Sequence, residues 1–167
     1  LTANSASVTA NLDVTGSIGK NDVVNIVNIA AGTNTFDTGN DVFETINLVP
    51  YTVGENIVLV TGAYALGATG GNLTVNAGGL DATAVVTFTG TDSVTPMVVT
   101  TGPAADIIIL GTKGDTLVSG AGNDVITGTG GANNITAGDG NDTVTLGSGA
   151  ETIDMGAGND IITAGAN

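Results

Sequence analysis

The residues with the most chemistry to offer are set at a fixed interval. An acidic or amide side chain stands at Asp106, Asp115, Asp124, Asn133, Asp142, Glu151 and Asp160, nine positions apart each time. Two residues beyond each lies an aliphatic: Ile108, Leu117, Ile126, Ile135, Val144, Ile153 and Ile162. Gly-x-Gly-Asn-Asp occurs in full at 120–124, 138–142 and 156–160. Carboxylate and carbonyl oxygens are hard ligands that suit a hard divalent cation. The chain has no histidine and no cysteine. That removes the commonest general base, the commonest transition-metal ligand, thiol chemistry and a disulfide framework.

A column of such groups needs a repeating element to hold it. Glycine-rich residues make a tight turn at φ angles that bulkier residues avoid. The residues after the turn form a short strand whose inward side chain is the aliphatic. This pattern resembles the calcium-binding nonapeptides of RTX proteins, over residues 102–167 and most closely at the three full motifs. The resemblance implies a right-handed parallel β-roll in which two nonapeptides, 18 residues, complete one coil. It also implies Ca2+ held between stacked turns by aspartate carboxylates and backbone carbonyls.

With two repeats per coil, turns stack on alternate repeats. One edge then carries Asp106, Asp124, Asp142 and Asp160, and the other Asp115, Asn133 and Glu151. The second edge reads Gly111-Thr112-Lys113-Gly114-Asp115, Thr129-Gly130-Gly131-Ala132-Asn133 and Gly147-Ser148-Gly149-Ala150-Glu151, and has lost ligands. The resemblance therefore assigns metal binding to Asp124, Asp142 and Asp160 with Gly120, Gly122, Gly138, Gly140, Gly156 and Gly158. One ion is expected between the 120–124 and 138–142 turns, and another between the 138–142 and 156–160 turns. Asp106 would extend this edge, although Pro103-Ala104-Ala105 replaces the usual glycines. Asp115 is a further candidate on the degenerate edge, where the Lys113 ammonium could stand in for a cation.

The plainer reading makes the Gly-Asn-Asp triplets mere turn formers, since Asn and Asp bond their own backbone in turns. Carboxylates stacked at the strand spacing of about 5 Å repel one another by on the order of 1 kcal/mol even in water. A bound dication removes that cost, which an empty ladder of turns must bear.

Sixteen Asp plus Glu against Lys20 and Lys113 give a net charge of −14. Nucleic acid and anionic membrane surfaces are repelled by such a chain. No apolar run approaches the ~20 residues needed to span a bilayer as a helix. Catalysis finds little support: the chain has neither a Gly-x-Ser-x-Gly elbow nor a His-Glu-x-x-His motif. A carboxylate pair could serve a glycosidase, but aromatics are few and arginine is absent.

Residues 1–101 are β-rich with another texture. Val8, Ala10, Leu12 and Val14 alternate with Thr9, Asn11 and Asp13, the period-two pattern of a half-buried strand. Apolar stretches recur at 23–29, 42–49, 57–60, 73–75, 85–88 and 97–99, and no helical spacing emerges. Phe36, Phe43, Tyr51, Tyr64 and Phe88 all precede the nonapeptides, so a thicker core is expected there. The whole is expected to be all-β: a β-solenoid or β-sandwich over 1–101, then the β-roll over 102–167.

Two segments resemble recurring strands of bacterial surface-layer proteins with RTX repeats: Thr38-Gly39-Asn40-Asp41-Val42-Phe43-Glu44-Thr45-Ile46-Asn47-Leu48 and Leu73-Thr74-Val75-Asn76-Ala77-Gly78-Gly79-Leu80. The resemblance implies a secreted protein of the bacterial cell surface that folds and self-assembles with calcium into a layer or filament. Its partners would be copies of itself and calcium ions, with cell-surface polysaccharide a further candidate. The alternative is a calcium-stiffened stalk or secretion module of a larger adhesin or secreted enzyme. Type I secretion is implied as well. Its C-terminal signal is expected beyond Asn167 or already removed, and the start at Leu1 suits a mature product or fragment. Asp37, Asp41 and Glu44 are read as solvated turn carboxylates. The strand at 7–14 is read as the first of its own domain rather than as one donated to a neighbour.

Overall fold

Runs rich in Val, Ile and Thr, broken by Gly, Asn and Asp, favour short extended segments over helix. The computed structural model describes residues 2–4, 23–29, 32–37, 45–50, 55–60, 73–90 and 95–165. Every regular element among them is a strand. The first eight are β1 (Thr2–Asn4), β2 (Val23–Ile29), β3 (Gly32–Asp37), β4 (Thr45–Pro50), β5 (Glu55–Val60), β6 (Leu73–Asn76), β7 (Val85–Thr89) and β8 (Met97–Thr100). The nonapeptides supply β9 (Ile107–Ile109), β10 (Thr116–Ala121), β11 (Val125–Gly130), β12 (Asn134–Asp139), β13 (Thr143–Ser148), β14 (Thr152–Asp154) and β15 (Ile161–Thr163).

All pairs are parallel; β1 pairs with β2, and from β2 onward each strand pairs with the strand two places away. One sheet runs β1-β2-β4-β6-β8-β10-β12-β14 and the other β15-β13-β11-β9-β7-β5-β3. The chain therefore winds as a two-sheet solenoid. For the N-terminal region this selects the solenoid over the sandwich, whose hairpin-linked strands would pair antiparallel.

Coil length shortens along the stack. Thr45 pairs with Thr74 and Phe88 with Ile108, steps of 29 and 20 residues. From β8 onward the step is 18: Val98 to Thr116, Thr116 to Asn134 and Asn134 to Thr152. The ladders run without a gap from β6 through β8 to β10 and from β5 through β7 to β9. Longer coils enclose larger side chains, and Phe88 and Met97 are buried among them. In the 18-residue coils Ile108, Leu117, Ile126, Ile135 and Val144 are fully buried, while Ile162 in β15 is 50% exposed. Each of those buried aliphatics contributes about 1.5–3 kcal/mol.

The strand expected at 7–14, residues 38–44 with Asp41, Phe43 and Glu44, and Tyr51 and Tyr64 lie outside the described residues. Thr45–Leu48 lie within β4 and Leu73–Asn76 form β6, and the two strands lie side by side, Ile46 opposite Val75. Among the described residues no helix is long and apolar enough to cross a membrane.

Candidate metal centre

Period-two alternation decides where the acids go. Asp124 precedes Ile126 by two residues, so both project to the same side of the chain, and Ile126 is inward. Asp106, Asp115, Asp124, Asn133 and Asp142 are accordingly at most 1% exposed. Glu151 and Asp160, near the end of the roll, are partly exposed.

Inside the coil each carboxylate braces its neighbour. Oδ1 of Asp106 accepts the Val86 N–H at 2.8 Å, Asp124 accepts that of Asp106 at 2.8 Å, and Asp142 accepts that of Asp124 at 2.9 Å. Asp160 receives the Asp142 N–H at 2.9 Å. The opposite edge repeats the motif: Met97 donates to Asp115, Asp115 to Asn133, and Asn133 to Glu151. The asparagines bond the other way along the stack. Asn123 accepts from the Asn141 N–H and Asn141 from that of Asn159, both at 2.8 Å. Adjacent residues of a turn thus hold the coils on both sides of it. The sequence reading missed these rungs, although the i, i+2 relation of acid to inward aliphatic could have revealed that the acid is internal.

The second oxygens distinguish the edges. Oδ2 of Asp106, Asp124 and Asp142 is buried and has no hydrogen-bond partner. The nearest hydroxyls are committed elsewhere, Thr101 donating to the Ser119 carbonyl and Ser119 to that of Ala137, each at 2.8 Å. On the other edge Oδ2 of Asp115 accepts the Gly111 N–H at 3.1 Å, and Asn133 turns its amide to the Gly130 carbonyl at 3.2 Å. Lys113 is exposed, and a backbone donor, not an ammonium, occupies the Asp115 oxygen. Only Glu151 leaves a buried oxygen, Oε1, unpartnered on that edge.

Burial pushes the Asp106 carboxyl up to about 6, against the pull of the Val86 N–H and of the Thr101 hydroxyl and Gly102 N–H, which lie near Oδ2 without completing a hydrogen bond to it; the Asp124 charge adds to the rise. Asp124 is raised by burial too, with the Asp142 charge adding to it, and burial likewise raises Asp115. A buried anion with an unfilled oxygen is costly. A cation would offset it, so the Asp106–Asp124–Asp142 edge fits one. Among the described residues no three His, Cys, Asp or Glu side chains converge on a point. Any such ion must therefore draw heavily on backbone carbonyls, which calcium accepts.

The turns make room for that. All six glycines of the three full motifs have positive φ, from +79° at Gly156 to +152° at Gly158. At Gly138 and Gly140 a Cβ would run into the carbonyl oxygens of Gly120 and Gly122 in the preceding coil. Only glycine lets the stacked turns approach so closely.

Residues 100–133, 109–144 and 127–162 each match the family described as RTX calcium-binding nonapeptide repeat (4 copies). Residues 100–162 are RTX repeats. RTX nonapeptides are calcium-binding motifs, so Ca2+ is the ion of this β-roll. The roll is a structural calcium-binding fold rather than a catalytic one. No curated protein and no solved structure matches the chain.

Proposed function

We propose that this chain is an extracellular structural protein of the bacterial surface, whose RTX coils order with calcium and which then self-assembles into a layer or filament. The observation that carries the calcium part is the row of three buried, unpartnered carboxylate oxygens on Asp106, Asp124 and Asp142. Asp124, Asp142 and Asp160, with backbone oxygens of Gly120, Gly122, Gly138, Gly140, Gly156 and Gly158, would hold the ions, and Asp106 extends the row. Asp115, with both oxygens already bonded to backbone N–H groups, has the weaker claim. Bound calcium supplies positive charge that lets the aspartates stay ionised in the interior.

The chain's own residues supply the switch. Without a cation the buried acids disfavour the closed coil, and the glycine turns have little else to fix them. Where calcium is scarce the roll stays loose, and at the millimolar levels outside cells it closes, since binding and ordering share one free energy. RTX-repeat proteins are typically secreted, and type I export of a loose chain suits that order of events. Self-assembly is supported by the resemblance of β4 and β6 to surface-layer strands and by a parallel stack with no enzymatic motif. The second reading, a calcium-stiffened stalk or secretion module, is favoured by the stack itself, which is long in one dimension.

The test is a calcium titration of metal-stripped protein followed by far-UV circular dichroism and negative-stain microscopy, with magnesium as control. β-structure and ordered sheets or fibres appearing together at millimolar calcium support the assembly subunit. Folding without assembly leaves the stalk or secretion module.

A further inference from the structure

From β7 to β15 one sheet of the solenoid carries no charge on its strands. β9, β11, β13 and β15 align Ile107, Val125, Thr143 and Ile161 in a single column. Ile107, Val125 and Ile161 are 44%, 47% and 59% exposed. Beside it, Thr127 pairs with Thr145 in a second column. Charged residues lie elsewhere among the described residues: Asp37 and Glu55 on β3 and β5, Asp81, Asp139 and Lys113 in or beside turns, and Asp154 exposed on β14 of the other sheet.

We propose that this uncharged face is where a second copy of the chain packs, sheet against sheet. The inference rests on the self-assembly reading above and adds the surface that carries it. Two considerations select a second copy. In a chain of net charge −14, two copies meeting through turns would oppose like charges, whereas this face brings none together. Geometry points the same way: the columns rise by the strand spacing of about 4.8 Å. Another copy has the same rise, so β-branched side chains can interdigitate along the whole ladder, as between the packed sheets of a sandwich. A two-fold arrangement makes the contact self-complementary.

Size sets the strength. The five strands have 5, 3, 6, 6 and 3 residues; at about 3.3 Å per residue and about 4.8 Å spacing they present roughly 360 Å² per copy, or about 700 Å² for the pair, the range of weak contacts. A pair alone is therefore short-lived, and repetition of the contact in an array holds it.

The chain contains no cysteine, so a single introduced thiol reports one position. Val125→Cys and, on the other sheet, Val118→Cys are compared in calcium under mild oxidation, alongside sedimentation velocity of the parent and of Val125→Glu/Thr143→Glu. The expected result is a disulfide-linked dimer from Val125→Cys at least tenfold in excess of that from Val118→Cys. Calcium-dependent association should be lost in the double glutamate variant, with its circular dichroism unchanged. Equal cross-linking at both positions, or undiminished association of the double variant, overturns this face while leaving self-assembly standing. A parent that stays monomeric in calcium at every concentration overturns the assembly reading, and this inference with it.

Discussion

Asp124 accepts the backbone N–H of Asp106 through Oδ1 at 2.8 Å, across one full coil, and buries Oδ2 with no partner. One oxygen is structural and the other is available. Turn-forming and ion-binding readings of the Gly-Asn-Asp triplet are therefore compatible, because one carboxylate divides between them.

Asp142→Asn tests that division. The amide oxygen preserves the rung to the Asp124 N–H, while the charge at the unpartnered oxygen disappears. The calcium midpoint for β-structure, followed by circular dichroism, should rise about tenfold or more, a loss of at least ~1.4 kcal/mol. Asp142→Ala removes the rung as well and should be worse. Asp115→Asn should leave the midpoint nearly unchanged, since both Asp115 oxygens are already bonded to N–H groups. An unshifted midpoint in Asp142→Asn would refute the site assignment.

Acidity should act in opposite directions with and without calcium. The Asp106 carboxyl is raised from 3.8 to about 6 by burial, and Asp124 and Asp115 are raised in the same direction. Between those values the folded chain holds a proton that the unfolded chain has released. Stability of metal-free protein therefore falls as pH rises through that window. Circular dichroism in chelator should show more β-structure at pH 5 than at pH 7, and the difference should shrink in Asp106→Asn. Calcium requires the anion, so in calcium the order should reverse.

Glycine substitution should discriminate by position. Gly138→Ala combines a φ of +105° with a Cβ driven into the Gly120 carbonyl, whereas a Cβ on Gly79 meets nothing within 4 Å. A destabilisation of at least ~2 kcal/mol is expected for Gly138→Ala, from the left-handed backbone plus the clash. Gly79→Ala should stay within about 0.5 kcal/mol. Denaturant melts in saturating calcium measure both.

The inward aliphatics should differ along the roll. Ile126 is fully buried and Ile162 half exposed. Ile126→Ala should cost about 2–5 kcal/mol and Ile162→Ala less than about 1 kcal/mol. Equal losses in the same melts would contradict the burial gradient.

Much of this architecture was legible residue by residue. Apolar runs at 23–29, 57–60, 73–75, 85–88 and 97–99 coincide with β2, β5, β6, β7 and β8, because β-branched side chains at period two fit a pleated, half-buried surface. β3, Gly32–Asp37, went unnoticed: its one large apolar residue, Phe36, stands among Gly, Thr, Asn and Asp. It is a strand because β5 pairs with it over its whole length, a contact between segments more than twenty residues apart in sequence. The choice of solenoid over sandwich was hidden for the same reason. Period two states which side of a strand is buried and says nothing of which strand lies beside it.

What the sequence determined by itself is the nonapeptide roll, its two edges and its ion. A strict nine-residue interval admits one stacking register, and glycine with hard oxygen donors admits a narrow class of ligand. Tertiary structure alone decided how each carboxylate is used. Asp115 and Asp124 occupy equivalent places in their repeats, yet Asp115 finds the Gly111 N–H and Asp124 finds nothing for its second oxygen. That difference depends on where neighbouring backbone donors point once the coils are stacked, a three-dimensional property that no local interval encodes.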